Sequence, residues 1–291
     1  MRLERVYEWH VGEGLQERDP KKMDPQLRTD DAIRLGHISD THLGKDQEEL
    51  RRRQLRCWLD DFVRLGADAV VHSGDLVESS EDEESVRWAF GLFDELPIPL
   101  LGVPGNHDVK APGDQSAVTR RWGPFPRCVA IEDLQIWLFD SMAWPPAEER
   151  SQREQDAARQ SGFFSRGGIG ETQRHAVSQA LQNHHDGARL AVVHHHLRQP
   201  VPQKPWYEAN ADLMRPLDDV DPFVEQLRSS DVTLVLHGHR HQYVAPYAPF
   251  EDLVILNGGS STPGRGPGRA RVIDITGKGA SLRVWEFVRF S

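Results

Sequence analysis

Ile33-Arg34-Leu35-Gly36-His37-Ile38 runs directly into Ser39-Asp40-Thr41-His42, so a short apolar segment ends on a carboxylate and an imidazole two residues apart. A run of this length bounded by polar residues reads as a buried strand. Residues i and i+2 of an extended segment turn their side chains to the same side, so Asp40 and His42 can chelate one ion. Four more apolar runs end in the same manner, on Gly74-Asp75, Gly105-Asn106-His107-Asp108, His194-His195-His196 and Gly238-His239-Arg240-His241. Ligand sites in α/β sheets assemble at the C-terminal ends of strands, which is where all five clusters fall. Carboxylate, amide and imidazole donors without a thiolate suit Mn, Fe or Zn. The glycines at 74, 105 and 238 let the chain leave a strand sharply and approach a metal closely.

Outward from this core, strands are expected over 33–38, 69–72, 99–103, 134–139, 190–193, 232–236, 253–256, 270–273 and 282–287. Between the first two, Leu55, Trp58, Leu59 and Phe62 recur at helical spacing and mark a helix with one apolar face, Trp58 being read as core. Further helices are expected over 85–96, 171–183 and 221–228. The alternation of short apolar runs with amphipathic stretches is that of a layered α/β domain. Residues 1–32 are polar and interrupted by Asp19-Pro20 and Asp24-Pro25, and are read as an N-terminal extension, with a short helix near Val6 as an alternative. The domain proper is expected over 33–291. Two irregular stretches, 144–168 and 197–219, the latter around Trp206-Tyr207, have the length of functional rims or disordered loops.

With 291 residues, 38% of them apolar, the chain can bury one substantial core but is short for two full domains. A formal charge of -10 argues against a broad basic surface for gripping nucleic acid, although bound cations reverse the sign locally. Cys57 and Cys128 are the only cysteines, which leaves no disulfide framework and fits a reducing compartment. Charges follow Met1 where an apolar signal core would lie, and no stretch approaches the ~20 apolar residues of a membrane span. A cytoplasmic protein without membrane attachment is expected.

Taken in order, D-x-H, G-D, G-N-H-D, H and G-H-x-H resemble the signature of the calcineurin-like metallophosphoesterases, over Ile33 to about Ser261. The resemblance implies an α/β (α+β) fold, a four-layer αββα sandwich of two mixed β-sheets flanked by helices. It implies two divalent metal ions, one held by Asp40, His42 and His241, the other by Asn106, His194 and His239, with Asp75 bridging both. His107 matches the histidine that contacts the phosphate and protonates the leaving group, with Asp108 as its orienting partner. The fourth element is open by one residue: the family reads His-His-Pro, this chain His194-His195-His196-Leu197. His194, first after the strand, is favoured and His195 is the alternative, while His196 orients the site or faces solvent.

Bland readings stand beside these. His37, His72, His175, His184, His185 and His237 are treated as structural, and Asp46 and Glu78 as belonging to solvated loops. Gly264–Arg269 reads as a flexible hairpin tip rather than a phosphate site. Asn257-Gly258-Gly259-Ser260-Ser261 resembles the family's late turn beside the metals. No Gly-x-Ser-x-Gly elbow and no Gly-x-x-x-x-Gly-Lys loop is present. The wording of the motifs looks most like the bacterial cyclic-nucleotide phosphodiesterase branch, so the expected partner is a small phosphate ester, nucleotides included. Hydrolysis would use hydroxide held by two metals about 3.5–4 Å apart. A phosphomonoesterase, nucleotide-pyrophosphate hydrolase or nuclease shares the same metal centre, and a scaffold role is disfavoured because no ligand is lost.

Overall fold

The computed structural model describes residues 1–109, 116–142, 167–181, 185–197, 217–241, 244–263 and 267–290. Arg2–His10 (β1) and Gly14–Arg18 (β2) form a hairpin, followed by Ile33–Ile38 (β3), Glu48–Arg64 (α1), Ala69–His72 (β4), Glu83–Asp94 (α2) and Leu100–Gly102 (β5). Next come Ala117–Trp122 (α3), Arg127–Ile131 (β6), Leu134–Leu138 (β7), Gly170–Leu181 (α4) and Ala188–Val192 (β8). Val220–Ser229 (α5), Leu234–His237 (β9), Tyr247–Phe250 (β10), Leu253–Asn257 (β11), Gly268–Thr276 (β12) and Ser281–Arg289 (β13) complete the chain.

Two sheets result, ordered β2-β1-β13-β12-β3-β4-β5 and β10-β11-β9-β8-β7-β6. Both are mixed. β3, β4 and β5 run parallel in the first, as do β7, β8, β9 and β11 in the second. Side chains alternate along each strand, and this sorts the apolar residues into layers. Leu35, Ala69 and Val71 meet Leu190, Leu234 and Leu236 between the sheets. Ile38 and Val70 face outward onto Leu55, Trp58, Leu59 and Phe62 of α1. On the far side, Val193, Val235 and Ile255 pack under Phe223, Val224 and Leu227 of α5. This is the four-layer αββα sandwich, with the C-terminal ends of both sets of parallel strands carrying the polar clusters on loops. Among the described residues no helix is long and apolar enough to cross a membrane.

The reading of residues 1–32 as an extension needs correction. β1 pairs antiparallel with β13, and Val6 and Trp9 are completely buried. A bulge between Leu3 and Arg5 hid the strand by breaking its period: it turns Leu3 to the helix side with Val6, while Tyr7 and Trp9 point between the sheets. The alternative of a helix near Val6 fails for the same reason. β6, β10 and α3 were also unexpected. The expected stretches 144–168 and 197–219, with Trp206 and Tyr207, lie almost wholly outside the described residues, as do His184 and the tip of Gly264–Arg269.

Candidate metal centre

The loops that follow β3 and β4 remain paired after the strands end. Asp40 N–H donates to Gly74 O at 3.0 Å, His42 N–H to Asp75 O at 3.1 Å and Leu43 N–H to Leu76 O at 3.0 Å. Arg51 of α1 and Thr262 both donate to Thr41 O, holding the first loop from behind. The late turn reaches it as well: Ser260 Oγ donates to Asp40 O at 3.1 Å and Ser39 N–H to Ser261 Oγ at 3.0 Å. Asp40, His42 and Asp75 in these loops, and His239 after β9, sit at positive φ, at 51°, 44°, 56° and 68°, a region that non-glycine residues enter at a cost of order 1–3 kcal/mol. The turns also need their glycines. A Cβ on Gly74 would fall 2.4 Å from the His194 ring, and one on Gly105 would fall 2.2 Å from Asp75 Oδ1.

The side chains gather into two adjoining donor sets. In the first, Asp40, His42, Asp75 and His241 each offer an atom within 4.8 Å of the others. His42 Nε2 lies 2.9 Å from His241 Nε2 and 3.7 Å from Asp75 Oδ2. Asp40 Oδ2 accepts from Ser39 Oγ at 2.5 Å. Its other oxygen, Oδ1, is buried and receives no hydrogen bond, with His241 Nε2 3.4 Å away. His241 is 49% exposed at its side chain, so this set opens to solvent on one side. In the second set, Asp75, His194 and His239 gather in the same way, and Asn106 Oδ1 stands 3.1 Å from His194 Nε2 and 2.9 Å from His239 Nδ1. Asp75 Oδ2 is also 3.4 Å from His194 Nε2, so one carboxylate belongs to both sets.

This donor chemistry fits a cation in each set. His194 Nδ1–H donates to Ser73 O at 2.8 Å, so a neutral ring presents the Nε2 lone pair to two oxygen acceptors. Only a proton or a metal reconciles that arrangement. Burial would lower the His194 pKa, but the Asp75 and Asp40 carboxylates and the hydrogen bonds outweigh it and raise it to about 9. Burial would likewise raise Asp75, yet the charges of His194, His107 and His42 hold it well below the usual carboxylate range. Asp40 is pushed upward by burial and by the Asp75 carboxylate, against the pull of His194.

His195 and His196 occupy other places. His195 Nδ1 lies 2.8 Å from Ser141 Oγ, and its ring centroid is 4.6 Å from that of His239. His196 is buried and stacks on His239 at 5.9 Å, so it does not face solvent. His72, read as structural, accepts Gly74 N–H at Nδ1 and meets Thr41 Oγ1 at Nε2, bracing both loops from below.

His107 N–H donates to Asp75 Oδ1 at 2.9 Å, and its Nδ1–H to Glu78 O at 3.0 Å. The expected partnership with Asp108 is replaced by this carbonyl. Asp108 instead accepts Val77 N–H at 3.0 Å and Gly105 N–H at 2.8 Å, tying two loops together. Burial first, and Asp75 second, raise its pKa. Glu78, read as solvated, was missed: its carboxylate lies 2.8 Å from His42 Nδ1 and 2.9 Å from Lys45 Nζ. Burial would raise its pKa, but the adjacent His42 and Lys45, with the charge of His107, lower it to about 2. The one signal in the sequence is its position three residues after Asp75, on a loop whose partner carries His42.

Comparison with known proteins places this geometry. A family model described as calcineurin-like phosphoesterase matches residues 33–243, well over half of the chain. The DNA double-strand break repair protein Mre11 of Saccharolobus solfataricus is 35% identical over 86 residues, covering 26% of this chain and 23% of that protein. Mre11 of Methanosarcina mazei is 32% identical over 129 residues, covering 39% and 21%. The chain thus spans less than a quarter of the length of these relatives. Among solved structures, a dimetal phosphatase from Danio rerio superposes with a TM-score of 0.60 at 14% identity, covering 89% of this chain and 99% of that one. Purple acid phosphatase from yellow lupin seeds gives a TM-score of 0.53 at 12% identity, over 90% of this chain and 51% of that one. At these identities the likeness is one of fold.

Proposed function

The chain belongs to the calcineurin-like phosphoesterase family, and from that premise we propose that it hydrolyses a phosphodiester at a dinuclear metal centre. The observation that carries this reading is the pair of donor sets joined through the Asp75 carboxylate. Asp40, His42 and His241 would hold one divalent ion, Asn106, His194 and His239 the other, and Asp75 both. Two adjacent ions make water more acidic and polarise phosphoryl oxygens, which is the chemistry ester hydrolysis needs. His107 is fixed beside them by its backbone bond to Asp75. Because its Nδ1–H is given to the Glu78 carbonyl, the proton it passes to a departing oxygen sits at Nε2.

A small diester such as a cyclic nucleotide is the favoured substrate, on the motif wording and on a net charge of -10 that offers no broad grip for a polyanion. A nucleic-acid diester is the second reading, favoured by the sequence likeness to the archaeal Mre11 proteins. The test is a panel run with added Mn²⁺: cyclic AMP, bis(p-nitrophenyl) phosphate, p-nitrophenyl phosphate and a single-stranded oligonucleotide. Two ions per chain and faster cleavage of diesters than of the monoester are expected. Preference for the oligonucleotide over cyclic AMP selects the second reading, and a strong monoester preference overturns both.

A further inference from the structure

The register between two loops sets Glu78 across from His42. The paired loops end in a parallel bridge between Leu43 and Val77, and Glu78 N–H closes the ladder onto Leu43 O at 2.7 Å. Its carboxylate therefore meets His42 Nδ1 at 2.8 Å, while Lys45 Nζ holds the same carboxylate at 2.9 Å. Its carbonyl, a separate group, accepts His107 Nδ1–H at 3.0 Å. One residue thus touches two imidazoles of the site through two different groups.

We infer that Glu78 is a positioning residue for both histidines, an inference that rests on the dinuclear reading above. The carboxylate, 2.8 Å from Nδ1, draws the His42 proton to that nitrogen by its charge, so that Nε2 offers its lone pair to the cation. The carbonyl keeps His107 in the tautomer that exchanges its proton at Nε2. A carboxylate behind a ligating imidazole also makes that imidazole a stronger donor, and such outer partners are worth about 10–100-fold in metal affinity. Among the described residues, His194 has the neutral Ser73 carbonyl behind it. The two donor sets are therefore unequal, and the influence of the Glu78 carboxylate is confined to one of them. His42, Glu78 and His107 themselves come close enough to suggest a third cation, but the Lys45 ammonium already neutralises that carboxylate.

The test is Mn²⁺ titration of the full chain and of the variants Glu78→Ala and Glu78→Gln by calorimetry, with thermal melting of each protein in chelator. Glu78→Ala is expected to weaken one of two Mn²⁺ ions by about tenfold or more while the other stays within about threefold, with little change in the chelator melt. Glu78→Gln keeps an oxygen to accept His42 Nδ1–H and should recover most of that loss. With both sites saturated, Glu78→Ala should keep the wild-type dependence on leaving group, because the hold on His107 runs through the backbone. Wild-type affinity for both ions in Glu78→Ala overturns the inference, as does equal loss of both or a large drop in the chelator melt, which would mark a merely structural role. A wild-type chain that binds fewer than two ions overturns the dinuclear reading itself, and this inference with it.

Discussion

The Nε2 atoms of His42 and His241 stand 2.9 Å apart, their ring planes inclined at 67°. The other nitrogen of His42 lies 2.8 Å from the Glu78 carboxylate, which favours the tautomer protonated there, so its neutral ring brings a lone pair to this contact. Without a cation, one proton has to be shared where a metal would serve both rings. The same is true of His194 against Asn106 and Asp75. Protons therefore compete with metal for these atoms, and metal binding must displace them.

His194 keeps its proton in the metal-free chain until pH rises through about 9, and it binds metal only after losing it. Affinity for Mn²⁺ should accordingly climb between pH 6 and pH 9, and binding at pH 7 should release at least one proton. Calorimetry in buffers of different ionisation enthalpy measures that number directly. No release at pH 7 would show that His194 does not face the cation.

His194→Ala should abolish binding of one Mn²⁺ ion, because Nε2 is the atom that faces Asn106 and Asp75. His195, anchored to Ser141, should behave as an outer partner, and His195→Ala should cost about 10–100-fold in affinity. Metal content after gel filtration distinguishes the two. The reverse order would move the ligand to His195.

His107→Gln should lose roughly 10²–10⁴-fold in kcat/KM on alkyl or nucleoside esters, the usual worth of general acid catalysis. A nitrophenolate leaves without a proton, so the loss on nitrophenyl esters should be far smaller, with both ions still bound. Equal losses on the two ester types would reassign His107 to holding the phosphoryl group.

Trp9→Ala should destabilise the whole protein by about 3–5 kcal/mol, the range for truncating a fully buried large aromatic. Trp9 sits between the two sheets, so denaturant unfolding should shift as one transition. An unchanged midpoint would mean that the N-terminal hairpin is peripheral to the fold.

Sequence made some parts of this molecule plain and concealed others for physical reasons. β3 and β4 are buried on both faces, and such strands announce themselves as apolar runs. β1 buries only Val6, Tyr7 and Trp9, and its bulge shifts Leu3 out of phase with Tyr7 and Trp9. β10 carries Pro249 at a sheet edge, which weakens a strand signal without preventing the strand. At the site, donor types at strand ends could be seen residue by residue. His194 and His195 could not be told apart, because what separates them is the Ser73 carbonyl behind one and the Ser141 hydroxyl behind the other. Glu78 was hidden for a related reason, since its partner is set by the register between two loops remote in sequence.

The left-handed backbone at Asp40, His42, Asp75 and His239 shapes what a mutational scan of the gene will report. Asparagine and aspartate enter that conformation several-fold more readily than alanine or β-branched residues. Alanine at codon 75 thus redirects the chain as well as deleting an oxygen, whereas asparagine changes the charge and keeps the path. Scored by cellular abundance, asparagine should outrank alanine at codons 40 and 75, although both score as inactive. At Asn106 and His194, which lack positive φ, alanine carries no such backbone penalty. Abundance and activity profiles should therefore part company at these four codons, exposing from sequence counts alone which candidate ligands are held in place by the scaffold's strain.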